Sequence, residues 1–120
     1  MIIAYWFVGG LLAVFYLYAG GLKVLRSRER LRPMMAWVDD MPMPMVRGIG
    51  SVELLGAVGL ILPPLTGLAC GLAPAAATGF VVLQVAAIVV HLRRGDRAIA
   101  LNIGLLVAAC AAACLATAWQ

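Results

Sequence analysis

Residues 2–24 read IIAYWFVGGLLAVFYLYAGGLKV, an apolar run that carries no charge until Lys23. Coiled into a helix at about 1.5 Å per residue, the run crosses the roughly 30 Å hydrocarbon layer of a bilayer. Tyr5 and Trp6 stand at one end, where aromatic belts form, and Lys23, Arg26 and Arg28 follow at the other. A cleavable signal carries its positive charge ahead of the apolar core, whereas here the charge comes after it. The expectation is an uncleaved first helix inserted with its N-terminus outside.

Three more apolar segments follow. The second, from about Val46 to Leu62, is predicted to stop at Pro63-Pro64, since neither proline donates a backbone hydrogen bond and the second biases its predecessor away from helix. The third begins between Thr66 and Pro74 and continues to His91, with Pro74 tolerated in a first turn or as a kink. After the tight turn Arg93-Arg94-Gly95-Asp96-Arg97, the fourth runs from about Ala98 to Trp119. The predicted spans are thus about 2–24, 46–62, 66–91 and 98–119, in a single domain over 1–120. Between the first two, Pro33 precedes apolar residues at 34, 37, 38 and 41 that share one stripe. That spacing predicts a short interfacial helix over about 33–41, anchored in the headgroup region by Trp37.

With 65% hydrophobic and 12% charged residues and a mean hydropathy of +1.06, the chain lies outside the range of soluble globular domains. The net charge of +4 does not mark a nucleic-acid face, because all nine Lys and Arg residues fall within Lys23 to Arg47 or Arg93 to Arg97. Six lie between the first and second segments, none between the second and third, and three between the third and fourth. That alternation places both charged loops in the cytoplasm and both termini outside, and it is too strong for a dual-topology insertion. The fold class is an all-α integral membrane protein, a bundle of four transmembrane helices with its surface against the lipid bilayer.

Glu53 is the most informative position. It lies six residues beyond Arg47, roughly 9 Å deeper along a helix, and a carboxylate at that depth costs a few kcal/mol unless it is paired, protonated or facing a wet cavity. Gly50, Gly56 and Ala57 share its helical face and allow another helix to approach, so Glu53 is expected to face the bundle. The other helices offer partners at similar depth: Lys23, Asn102, and His91 with Gln84 two turns deeper on the same face. Two readings of this polar cluster stand side by side. In one, Glu53 and Lys23 form an interhelical ion pair, with Asn102 and His91 as hydrogen-bonding glue. In the other, the cluster lines a pocket for a polar-headed lipophile such as a quinone, with His91 or Glu53 handling protons.

Cys70, Cys110 and Cys114 map to the outer half, where Cys70 could meet Cys114 as a disulfide, yet cysteine also suits an alanine-rich helix as a small apolar residue, and no C-x-x-C motif is present. Met41-Pro-Met-Pro-Met45 gathers three thioethers of the kind that hold Cu(I), but without a nearby Cys or His the expectation is no metal site. A single histidine excludes a bis-His haem.

The runs Tyr18-Ala19-Gly20-Gly21-Leu22-Lys23, Gly50-Ser51-Val52-Glu53-Leu54-Leu55-Gly56-Ala57-Val58-Gly59-Leu60-Ile61-Leu62-Pro63 and His91-Leu92-Arg93-Arg94-Gly95-Asp96, with Asn102 beyond, resemble the DoxX-like family of small bacterial membrane proteins. The second run is the most specific. The resemblance implies a four-helix membrane bundle in the bacterial cytoplasmic (inner) membrane. It also implies an association with membrane redox chemistry, relatives being linked to quinone-dependent thiosulfate oxidation and to complexes that handle oxidative and thiol stress. The family's recurrent polar positions would fall on Lys23, Glu53, His91 and Asn102.

The function placed first is an accessory subunit of a membrane redox system, without catalytic activity of its own, that binds quinone in the inner-leaflet pocket. The alternatives are a proton-coupled small-molecule transporter working through Glu53, and a structural or chaperone partner of a larger membrane protein docking through the Met-Trp loop. The glycine-rich faces of the first two helices also permit a homo-oligomer.

Overall fold

The apolar segments coil into helices because a chain out of water must satisfy its own backbone groups. The computed structural model describes residues 2–33, 35–68, 71–95 and 99–119, of which 118 and 119 are described by backbone alone. Helix α1 spans Ile2–Leu25, a one-turn α2 spans Arg28–Leu31, and a 3-10 turn spans Ala36–Asp40. Then come α3 (Met43–Thr66), α4 (Leu72–Arg93), α5 (Ala100–Leu115) and a closing 3-10 turn, Ala116–Trp119. Among the described residues three helices, α1, α3 and α4, are long and apolar enough to cross a membrane, and α5 is a shorter apolar helix.

The helices pack around one axis, α1 against α3 and α5, and α4 against α3 and α5, in a body 40 Å long. Much of what they bury is small: Ala13, Ala19, Ala57, Ala77, Ala109 and Ala112 are all 4% exposed or less, beside a few larger side chains such as Tyr16, Leu60 and Phe80. Large apolar side chains such as Ile3, Phe7, Leu55 and Leu101 point outward. This inverts the pattern of a water-soluble bundle. It is what helices do when lipid solvates the outer face as well as leucine would, so that close backbone approach drives packing.

The prolines do not end α3, which continues through Pro63 and Pro64 to Thr66. In a regular helix the amide of residue 64 would donate to the Leu60 carbonyl, and Pro64 has no amide hydrogen. Tyr5 on α1 replaces it, its hydroxyl donating to the Leu60 oxygen at 2.6 Å. The helix then closes at Gly67, whose φ of 74° suits glycine and whose amide donates to the Pro63 carbonyl at 2.9 Å. A Tyr5→Phe variant is expected to lose about 1–3 kcal/mol, because the Leu60 oxygen is left unpaired in an apolar interior. Adding Pro64→Ala supplies an amide donor and is expected to recover much of that loss. Unfolding midpoints in detergent check both, and an unchanged midpoint in the single variant would refute this account.

The first loop also differs from the single interfacial helix expected over 33–41. It is the α2 turn and a separate 3-10 turn, whose Leu31 and Val38 are buried with Leu22 and Val46. Arg28 decides this shape: its guanidinium donates to the carbonyls of Val38 and Met41, the latter at 2.9 Å, drawing the loop onto itself. Helix α3 starts at Met43, ahead of the expected Val46, since Pro44 falls in a first turn where no amide is needed. The expectations that involve Met34, Cys70, Asp96, Arg97 and Ala98 lie outside the described residues.

Candidate functional site

The site begins with two glycines. Where α1 crosses α3, a Cβ on Gly20 would stand 2.7 Å from the Gly50 carbonyl oxygen, and one on Gly50 would stand 2.7 Å from the Lys23 Cβ. Only bare backbone permits this crossing. One turn beyond it on each helix stand Lys23 and Glu53, and the ammonium donates to Glu53 Oε1 at 2.5 Å. Both are buried, Glu53 at 2% and Lys23 at 8% exposure. Arg47 secures the end of α1, donating to the carbonyls of Lys23 at 2.6 Å and Arg26 at 2.5 Å, which a helix C-terminus leaves unpaired.

Gln84 enters from α4. Its amide donates to the Tyr16 hydroxyl at 2.6 Å and its carbonyl oxygen accepts from the Asn102 amide of α5 at 3.0 Å. Beneath this chain the Tyr16 and Phe80 rings stack with centroids 3.9 Å apart. Between the ion pair and the amide chain lies a cavity of about 350 Å³, within the roughly 300–1,000 Å³ range of small-molecule sites. Lys23, Glu53, Gln84, His91 and Asn102 all line it, so the five residues singled out from sequence meet at one place.

The first loop forms the cavity's roof through Met35, Trp37 and Met41. Expected as a headgroup anchor, Trp37 is half-buried with its ring over the Lys23 ammonium, 5.6 Å from nitrogen to centroid. An ion pair between Asp40 and Arg94 joins the loop to the end of α4, and Asp39 pairs with Arg32 at 2.9 Å within the loop.

Sequence reasoning did not foresee Tyr16 as a bridging acceptor or Trp37 as part of the roof. Tyr16 lies two turns before Lys23 on the same face of α1, which is the signal that could have found it. Cys110 and Cys114 are free thiols exposed on α5 and do not line the cavity.

The ion pair leaves its own surroundings electrically neutral, while hydrogen-bonding capacity remains at the cavity wall. Among the described residues, Glu53 Oε2 and the Asn102 carbonyl oxygen accept no hydrogen bond. Neutral overall, walled mostly by apolar side chains and edged with donors and acceptors, such a cavity suits an uncharged ligand whose polar atoms sit at one end. No curated protein and no solved structure matches the sequence. Residues 7–114, which include every one of the five cavity residues, match the DoxX-like family, and the chain belongs to it.

Proposed function

We propose that this DoxX-like protein spans the bacterial cytoplasmic membrane four times, with its charged loops inside and both termini outside, and binds a quinone as an accessory subunit of a membrane redox system. The α5 helix and its 3-10 extension would form the fourth span. The observation that carries the ligand is the cavity at the charged end of the helices, where Glu53 is buried with one carboxylate oxygen still free to accept, as it would from a hydroxyl of the quinone's reduced, quinol form. Lys23, Gln84, Asn102 and His91 would hold the quinone oxygens and the apolar wall its ring. The redox assignment rests on the family.

Binding accounts for the packing better than transport does. Beyond the cavity the axis is filled by Leu12, Ala57, Leu60, Ala77 and the stacked Tyr16 and Phe80, all buried. That arrangement supports a pocket with a floor.

The test uses Trp37 as a reporter in a Trp6→Phe/Trp119→Phe background. Titration with a short-tailed benzoquinone is expected to quench fluorescence saturably, and its reduced form, whose hydroxyls can donate to Glu53, is expected to displace it with an affinity about tenfold lower in Glu53→Gln, equivalent to about 1.4 kcal/mol. Quenching that rises without saturation, and equally in Glu53→Gln and His91→Ala, would remove the proposal.

A further inference from the structure

A second concavity, almost wholly apolar and about 390 Å³ in volume, lies along the seam between α1 and α5. Leu105 lines both it and the polar cavity. On α1 the groove takes Val8, Leu11 and Leu12 and the cavity takes Phe15, Tyr18 and Ala19. These six follow one another at i, i+3, i+4 and i+7, so they form a single stripe. On α5 the same holds for Leu101, Gly104, Leu105, Ala108 and Ala111. The two concavities are therefore successive lengths of one seam, polar at the charged end and apolar for the rest.

The groove opens to the outside of the bundle. Phe7, Leu11 and Val107 on its margins are 63% or more exposed, and a Cβ on Gly104 would meet nothing within 4 Å. From Leu101 to Ala111 the seam is roughly 15 Å long at 1.5 Å per residue.

We propose that cavity and groove are one elongated site for a long-tailed lipophile, the polar head in the cavity and the apolar tail laid along the α1–α5 seam. The inference rests on the cavity binding a polar head and adds the tail as a determinant of specificity. Because the groove is bordered by lipid-facing side chains, the ligand enters sideways from the bilayer, tail and head together. Lipid solvates a tail as well as the groove does, so selection comes from fit within the seam and not from hydrophobic transfer.

Gly104→Phe fills the groove from the open space beside residue 104. In nanodiscs of fixed lipid composition, a benzoquinone carrying a polyprenyl tail is titrated against wild type, Gly104→Phe, the milder Gly104→Leu, and Gly10→Phe. Gly10 also has nothing within 4 Å of a built Cβ and lines neither concavity, so its variant is the control. The expected result is at least a tenfold loss of affinity for the tailed quinone in Gly104→Phe, a smaller loss in Gly104→Leu and none in Gly10→Phe. The same head with a methyl group in place of the tail binds wild type and all variants equally, which also shows that the variants are folded. A photoreactive group at the end of the tail labels α5 near Val107 and Ala111.

If tailed and tail-less quinones both bind Gly104→Phe as they bind wild type, the groove proposal is overturned and the cavity reading stands. If neither binds wild type, the cavity reading fails and the tail goes with it. Labelling of the groove by a phospholipid with the photoreactive group on its acyl chain, undiminished by the tailed quinone, assigns the groove to bulk lipid. A change of oligomeric state in Gly104→Phe assigns it to a second copy of the chain. Either outcome overturns the proposal.

Discussion

Lys23→Met is expected to destabilise the protein by about 3–5 kcal/mol, because it leaves the Glu53 carboxylate buried without its counter-charge. Glu53 is 2% exposed, and its Oε1 accepts from Lys23 at 2.5 Å. Glu53→Leu is expected to be the milder single change. Lys23 stands in the last turn of α1, and its long stem can carry a released ammonium toward the charged end of the bundle, whereas a glutamate in the middle of α3 has no such reach. The double variant Lys23→Met/Glu53→Leu is expected to recover most of the loss, since apolar residues of similar volume replace buried ion pairs with little or no penalty. Unfolding midpoints of the four proteins in one detergent complete the cycle. Additive single losses would mean that the two residues do not act as a pair. A double variant that is stable yet no longer quenched by quinone at Trp37 would separate the pair's role in binding from its role in packing.

The parts of this arrangement that were legible in the sequence are those set by depth. Charge counts and run lengths locate the helices, and the positions of Lys23, Glu53, His91 and Asn102 along them place all four near one end, where they line one cavity. The glycines beside Glu53 marked the face that another helix approaches. Helices that are apolar all round carry no amphipathic stripe to show which other residues turn inward, and small size is the only remaining cue. Tyr16 shares the Lys23 face, which marks it as inward, but its role as a hydrogen-bonding bridge is not legible there, since an aromatic within an apolar run serves lipid and core equally well. The end of α3 was misread because local proline chemistry was overridden by a hydroxyl 55 residues away. The first loop departs from the single interfacial helix expected over 33–41 because Arg28 bonds to carbonyls ten and thirteen residues on, which a helical stripe does not anticipate.

Gly20 and Gly21 adjoin in sequence and yet are expected to respond to substitution in opposite ways. A Cβ on Gly20 would lie 2.7 Å from the Gly50 oxygen, 3.1 Å from Leu54 and 3.2 Å from the Glu53 Cβ, whereas one on Gly21 meets nothing within 4 Å. Gly20→Leu forces α1 away from α3 at the crossing, and because the obstacle is backbone it cannot be relieved by a rotamer change. The expected loss is at the upper end of the about 1–3 kcal/mol typical of overpacking, or beyond it. Gly21→Leu is expected to be neutral or stabilising, since it removes a flexible residue from a helix interior without a clash. The binding readout separates geometry from stability. Moving α1 outward withdraws the Lys23 ammonium from Glu53 and distorts the cavity wall that the pair forms, so Gly20→Leu is expected to lose saturable quinone quenching even at temperatures where it remains folded, while Gly21→Leu keeps it. Equal midpoints and equal quenching in the two variants would show that the Gly20–Gly50 crossing does not position the site.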